Sequence, residues 1–172
     1  MESGNEIVNR VAGSSITVFD LEEYYVSGER VLLDIRDQLY EGLILKEKTF
    51  REFIKAHDWS QYKDKFVAIT CSADAIVPTW AFMLLTSSLE PYASTIVFGN
   101  LSDLETKIFY DVLSRIEWQQ FKDAKVVMKG CSKVAVPIAA YVEATRLMRP
   151  YASSIMFGEP CSTVPVFKKS RS

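Results

Sequence analysis

The sequence lacks the short motifs that identify many metalloproteins and nucleotide-binding enzymes. Its 172 residues include three cysteines and one histidine, and no two cysteines have the Cys-x-x-Cys spacing of zinc ribbons or ferredoxins. Neither Gly-x-Gly-x-x-Gly nor Gly-x-x-x-x-Gly-Lys-Ser occurs, so no motif supports nucleotide binding. A basic stripe is also missing, which argues against nucleic acid as a partner.

Long apolar runs are absent as well. A membrane-spanning helix needs about 20 consecutive apolar residues, and no run approaches that length. The first residues are polar and acidic, unlike those of a signal or transit peptide. Three is an odd number of cysteines, and without a secretory signal a disulfide framework is not expected. We therefore expect a reduced, cytoplasmic protein with no membrane partner.

The overall amino-acid composition is typical of a folded domain. Hydrophobic residues make up 48% of the chain and charged residues 24%, with a net charge of -2, which allows one sizeable core. We expect a flexible N-terminal arm at residues 1–14, a single α/β domain at 15–167 and a basic flexible tail at 168–172. A homodimer is the base-rate expectation for the oligomeric state.

Short apolar runs alternate with helical patterns along most of the chain. This alternation predicts a three-layer α/β sandwich around a mainly parallel five-stranded sheet with right-handed crossovers. A short edge strand at 15–19, a capped helical turn at 20–25 and a helix from about 40 to about 57 are also expected. The five core strands are predicted near residues 30–35, 65–70, 94–98, 124–129 and 153–157.

The second half of the sequence repeats the first at a constant offset of 59 residues. The match needs no gap over about forty residues, and it predicts an internal α-β-α-β duplication of about 47–99 and 106–158. Matched positions include Trp59 with Trp118, Pro78 with Pro137, and Pro-Tyr-Ala-Ser at 91–94 with the same four residues at 150–153.

All three cysteines open a Cys-Ser loop that ends in Val-Pro. Cys71, Cys131 and Cys161 each lie just past a predicted strand. Because the carboxyl ends of parallel strands share one edge of a sheet, we expect the three loops to lie along that edge. Two of the thiols precede a helix N-terminus, which lowers the pKa of a thiol, and thiolates bind zinc, copper(I) or iron–sulfur clusters.

Other polar residues of these loops are candidates for the same site. Asp74 or Glu159 could supply an oxygen ligand or a base, and Trp80 could line the site wall or a subunit interface. The single histidine, His57, is expected at the opposite sheet edge, which favours a packing or capping role. Hydroxyl groups that could hydrogen-bond the sulfurs or line the site are those of Ser72, Ser132, Ser162 and Thr163.

Three functions stay open at this point. The first is a metal–thiolate protein that holds zinc or an iron–sulfur centre through Cys71, Cys131 and Cys161. The second is an enzyme that uses the thiol of Cys131 or Cys71 on a small anionic substrate held at helix N-termini. The third is a partner-binding module with inert, buried cysteines and an exposed apolar patch around Trp80.

Several segments resemble a bacterial family catalogued as domain of unknown function 2480. They are 58–62 (Asp-Trp-Ser-Gln-Tyr), 71–80 (Cys-Ser-Ala-Asp-Ala-Ile-Val-Pro-Thr-Trp), 158–165 (Gly-Glu-Pro-Cys-Ser-Thr-Val-Pro), 42–48 and 129–132. The resemblance covers nearly the whole chain and carries no assigned activity. Such proteins are associated with genes for iron–sulfur cluster assembly. The resemblance thus implies an accessory role in metal or cluster handling, with Cys71, Cys131 and Cys161 as the metal ligands and a protein of that pathway as partner.

Overall fold

The computed structural model describes residues 9–10, 16–130, 133–159 and 161–170. The α-helices are α1 (Glu47–Ala56), α2 (Thr79–Leu89), α3 (Leu101–Leu113) and α4 (Ile138–Met148). The strands are β1 (Asn9–Arg10), β2 (Ile16–Asp20), β3 (Arg30–Asp34), β4 (Phe66–Thr70), β5 (Thr95–Phe98), β6 (Lys125–Lys129), β7 (Ser154–Glu159) and β8 (Ser162–Lys168). Of the described helices, none has both the length and the apolar character needed to cross a membrane.

The chain divides into two compact units with separate sheets. The continuous unit is Val26–Ile108, and the split unit combines Met1–Tyr25 with Phe109–Ser172. In the continuous unit the strand order is β3-β4-β5, all parallel, and in the split unit it is β1-β2-β6-β7-β8. The split-unit sheet is mixed, because β1 and β8 run antiparallel to their neighbours. The expected single five-stranded, mainly parallel sheet is therefore wrong, although the mixed α/β class holds.

The continuous unit builds its core on both faces of β4. Side chains alternate along a strand, so Val67 and Ile69 join a cluster with Phe50 of α1 and with α2, whereas Phe66 and Ala68 face the first half of α3. Helices covering both faces explain why β4 is an uninterrupted apolar run.

The split unit places β2 in the interior of its sheet. The segment expected as an edge strand lies between β1 and β6, with Ile16 paired to Lys125. Phe19 packs against Trp118 and Phe121 at ring-centroid distances of 5.5 Å. The 3₁₀ turn Leu21–Tyr24 follows as predicted, capped by Asp20, whose carboxylate accepts from the Glu22 amide at 3.0 Å.

Two other sequence expectations differ from the structure. The helix expected from about residue 40 begins at Glu47, because 36–45 forms a 3₁₀ turn and a small bridged loop instead. The segment 162–168 is a strand, although 161–165 was expected to be a Cys-Ser loop. Pro165 is tolerated there because β8 lies at the sheet edge and its register is shifted near Met156.

Element boundaries recur in the two units at the offset of 59. The strand β4 corresponds residue for residue to β6, and α2 to α4. The 3₁₀ turn Trp59–Tyr62 corresponds to Trp118–Phe121 in the same way. In each turn the indole N–H donates to a carbonyl five residues earlier, at 2.8 Å for Trp59 and 3.0 Å for Trp118.

Asp64 and Asp123 occupy equivalent left-handed positions, with φ of 60° and 58°. A β-branched side chain is strained in this region, so Asp64→Val and Asp123→Val should each destabilise the protein by about 1–2 kcal/mol. The matched variants Asp64→Gly and Asp123→Gly should be at least as stable as the parent, since glycine is unstrained there. Urea unfolding measures both effects, and valine variants as stable as the glycine variants would contradict the expectation.

Candidate functional site

The cysteine loops follow strands of two different sheets. Cys71 follows β4 of the continuous unit, and Cys161 lies in the turn between β7 and β8 of the split unit. Cys131 and Ser132 fall outside the described residues. The three thiols were expected at one edge because a single sheet was expected, and that premise is wrong. The shared thiol site stays a prediction.

Cys71 lies half-buried against the core of the continuous unit, with its Sγ 4.0 Å from the Ala73 carbonyl oxygen. The Ser72 amide donates to Oδ1 of Asp34 at 3.0 Å, and so does the Arg36 amide. This carboxylate ties the cysteine loop to the end of β3. Asp74 is exposed to solvent.

The pKa of Asp34 is lowered by these contacts. Burial alone would raise it, but hydrogen bonds from the Ser72 side chain and backbone and from the Arg36 backbone outweigh burial. A lowered folded-state pKa contributes stability that is complete above the unfolded carboxyl pKa, about 3.9, and is lost as pH falls through the folded value.

Asp34→Asn should therefore cost about 1 kcal/mol at neutral pH, because a neutral amide oxygen accepts the Ser72 and Arg36 hydrogen bonds less strongly than an ionised carboxylate does. The difference between parent and variant should be constant from about pH 7 to pH 5 and shrink below about pH 4. Urea unfolding across this range measures it, with the neighbouring exposed Asp37→Asn as control. A parent–variant difference that does not change with pH would contradict the role given to the carboxylate.

Cys161 is exposed in the tight turn that pairs Glu159 with Ser162. Ser162 and Glu159 are also exposed, and Thr163 Oγ1 lies 3.7 Å from the Met156 sulfur. The turn thus presents its thiol to solvent, while the hydroxyl of Thr163, on β8, contacts a methionine sulfur.

Lys129 lies among acidic residues at this end of the split-unit sheet. Lys129 Nζ lies 3.2 Å from Asp20 Oδ2. The hydrogen bond and charge of Asp20, and to a smaller extent the charges of Glu159 and Glu22, raise the pKa of Lys129. Glu22 Oε1 accepts from the Lys133 amide at 2.7 Å. Across the described ranges, no three His, Cys, Asp or Glu side chains are grouped to hold a metal ion.

His57 and Trp80 each contact another aromatic residue of the continuous unit. His57 Nε2 lies 3.0 Å from the Tyr62 hydroxyl at the end of α1. Trp80 is partly buried and packs edge-on against Phe50, at 6.1 Å between ring centroids. The apolar patch expected around Trp80 stays a prediction.

Exposed apolar side chains are found beside the outer face of α2. The buried side of this helix carries Ala81, Leu85 and Leu89, while Met83 on another side is 67% exposed. A groove of about 730 Å³ runs between α2 and β5. Along it Phe82 meets Phe98 edge-on, at a ring-centroid distance of 4.9 Å. The continuous-unit groove is lined chiefly by Ile69, Phe82, Met83, Thr86, Ile96 and Phe98.

The split unit has a groove at the equivalent place, between α4 and β7, with a volume of about 540 Å³. Val142, which corresponds to Met83, is 62% exposed. Tyr141 and Phe157 repeat the edge-on aromatic pair at 5.7 Å. The split-unit groove is lined by the six matching positions Met128, Tyr141, Val142, Thr145, Ile155 and Phe157, and by Val166 of β8.

A family model described as Protein of unknown function (DUF2480) matches residues 5–169. The chain belongs to this family. The resemblance seen in the sequence motifs is thereby confirmed, and the family description assigns no activity. No curated protein matches the chain, and no solved structure matches it either.

The grooves of the DUF2480 chain were missed by sequence reasoning, which expected an exposed apolar patch around Trp80 and no groove beside α2 or α4. A signal was available in α2, where apolar residues occur on more than one side of the helix, as in Trp-Ala-Phe-Met-Leu-Leu at 80–85. A helix with one buried face needs only one apolar stripe. The surplus apolar residues, Phe82 and Met83, are those that line the groove.

Proposed function

We propose that this DUF2480 protein is a partner-binding module that takes apolar segments of other proteins into its two equivalent grooves. The observation that carries the proposal is the recurrence of the groove at matched positions, with Met83 exposed in one unit and Val142 in the other. Both grooves have apolar residues at matched lining positions and an exposed apolar side chain at the same position of the helix. An internal duplication of about 47–99 and 106–158 would account for the pairing.

The energetics of the exposed side chains support the same proposal. Burying a side chain such as Met or Phe completely contributes about 1.5–3 kcal/mol, so covering Met83 and Phe98 provides a substantial driving force for association. Contiguous exposed apolar surface marks interaction sites more often than scattered single residues do. The grooves are open along a helix and a strand, a shape that suits a peptide segment better than an enclosed small molecule.

The metal and thiol hypotheses have less support. Cys71 is half-buried and Cys161 exposed, in separate units. His57 is engaged with Tyr62 and Gln61, so no contact assigns it as a base for a thiol. A zinc or iron–sulfur centre, an accessory role in cluster handling, a homodimer and a cytoplasmic location stay predictions.

Metal content of protein purified without oxygen tests the zinc and iron–sulfur hypothesis. The comparison is with a Cys71→Ser/Cys131→Ser/Cys161→Ser variant. We expect no thiol-dependent metal if the protein is only a binding module. Near-stoichiometric zinc or iron in the parent, lost in a variant that still folds, would establish the thiolate site instead.

The binding proposal is tested by selecting peptides from a displayed random library on the immobilised full chain. Enriched peptides should be apolar and should lose at least about tenfold in affinity for Met83→Asp or for Val142→Asp, because a buried unpaired carboxylate opposes docking. Leu43→Asp is the matched control, since Leu43 is 60% exposed but lies outside both grooves. Circular dichroism confirms that the variants fold.

Two results would overturn the proposal. One is a selection that enriches no peptide on the parent. The other is a set of enriched peptides that bind the parent, both groove variants and Leu43→Asp equally.

A further inference from the structure

We propose that the occupant of the continuous-unit groove is an extended partner strand that pairs antiparallel with β5 and carries a lysine or arginine facing Glu90. This inference rests on the proposed binding function and names the kind of partner at one of its two grooves. Three features support it. They are the outer side of β5, the strand β8 that pairs with the corresponding β7 in the split unit, and one charge difference between the units.

The outer side of β5 is available for strand addition. The Gly99 amide donates to the Ile69 carbonyl of β4 at 3.0 Å. Alternate residues of a parallel strand direct their N–H and C=O groups to opposite sides, so those of Ile96 and Phe98 point away from β4. Over the described part of the continuous unit, β5 is the last strand of its sheet. An added strand would bond these groups and place alternate side chains along the groove, as Val166 of β8 does in the split unit.

The split unit contains a strand in the equivalent place. Its β7, which corresponds to β5, pairs antiparallel with β8, as in Ile155 with Phe167 and Phe157 with Val164. The Lys169 amide donates to the Ser153 carbonyl at 2.8 Å, and the Val166 side chain lines the groove. The chain therefore provides its own example of a strand that pairs with the outer side of the groove strand and forms part of the groove lining.

The two units differ in the charge at the end of the groove helix. In the split unit the guanidinium of Arg149, the C-cap residue of α4, lies 4.9 Å from the centre of the Phe167 ring on β8. The corresponding C-cap residue of α2 is Glu90, which also lines its groove. A carboxylate is unfavourable at a helix C-terminus, where the dipole is negative. A cation on the incoming strand, at the place of Phe167, would offset this.

A second copy of the chain fits the site less well. The segment 94–100 around β5 reads Ser-Thr-Ile-Val-Phe-Gly-Asn and contains no basic residue. Pairing β5 with β5 of another copy would therefore bring no cation from that strand to Glu90. Charge complementarity favours a different protein, with a strand that has apolar residues at alternate positions and a basic residue at its end.

The test uses two synthetic peptides that carry the sequence of residues 162–168 with Phe167→Lys or with Phe167→Glu. Calorimetric titration at low salt should show the lysine peptide binding the parent about tenfold more tightly than the glutamate peptide, as for a charge pair at a partly buried site. Glu90→Lys should reverse this preference. Met83→Asp should weaken both peptides, while Arg149→Glu in the other unit should leave the preference unchanged.

Amide exchange separates strand addition from other docking. The lysine peptide should slow exchange of the Ile96 and Phe98 amides. No binding of the lysine peptide, or binding that neither follows the Glu90 charge nor protects these amides, would overturn the strand inference. The proposed binding function of the grooves would still stand if library peptides bind the parent and lose affinity for Met83→Asp or Val142→Asp. Self-association that Met83→Asp abolishes would assign this groove to a second copy and also overturn the inference.

Discussion

Replacement of Phe50 by alanine is expected to lower the free energy of unfolding by about 3–5 kcal/mol, the usual cost of deleting a fully buried aromatic ring. Phe50 is completely buried on α1 and packs between Phe53 and Trp80, at ring-centroid distances of 5.8 and 6.1 Å. The Phe50 ring packs against residues of both α1 and α2. The cavity that its removal leaves can therefore collapse only partly. Urea unfolding measures the loss.

The matched experiment is Phe109→Ala in the split unit. Phe109 lies 59 residues after Phe50 and is equally buried, but it belongs to the cluster of the other unit. Hydrogen exchange should therefore accelerate mainly in β3, β4 and β5 in the Phe50 variant and mainly in β2, β6 and β7 in the Phe109 variant. Losses below about 1 kcal/mol, or identical exchange patterns, would contradict the two-unit division of the core.

The second large effect is expected at Arg30, whose guanidinium is held at several points of the continuous unit. It pairs with the Glu105 carboxylate, donates to the carbonyls of Gly28 and Val26 at 2.6 and 2.7 Å, and lies 4.9 Å from the centre of the Phe66 ring. The side chains of Arg30 and Glu105 are only 13% and 25% exposed. Removing the cation would leave a half-buried carboxylate and two carbonyls without this donor.

Arg30→Met should therefore cost about 2–4 kcal/mol, somewhat less than the 3–5 kcal/mol for breaking a fully buried ion pair. Arg30→Lys should recover only part of the loss, because an ammonium cannot reproduce the planar fork of donors. Arg51→Met is the control, since the Arg51–Glu47 pair is exposed and should contribute about 0.5 kcal/mol or less. If Arg30→Met lowered the free energy of unfolding no more than Arg51→Met does, the contacts of Arg30 would not stabilise the continuous unit.

Local structure was predictable because it depends on neighbouring residues. Apolar runs predicted β4 and β6, which the structure contains near the expected residues. Strand pairing was not predictable from the same patterns. The offset of 59 relates β4 to β6 but does not say that β2 pairs with β6 while β3 pairs with β4. All these strands are short and apolar, so nothing in their composition distinguishes one sheet from two.

The candidate site was harder to predict than the fold. The cysteines were predicted to form the site because thiols have distinctive chemistry, whereas the side chains of Met83 and Val142 have none. Their role depends on exposure, which follows from how α2 and α4 are rotated about their axes against each sheet. The charge difference between Glu90 and Arg149 was visible in the aligned copies, but it acquires meaning only beside β8 and its Phe167.

The pairing of Ile16 with Lys125 has a consequence for the order of events during synthesis. All of the continuous unit can leave the ribosome and fold while β2 still lacks its partner β6. Closing so long a loop is slow, since its entropy must be overcome before the contact forms. Until then the apolar residues of β2 stay uncovered. A nascent chain whose residues up to 108 have emerged from the ribosome should thus contain a folded continuous unit, preceded by a β2 segment that lacks β6 and that chaperones can bind.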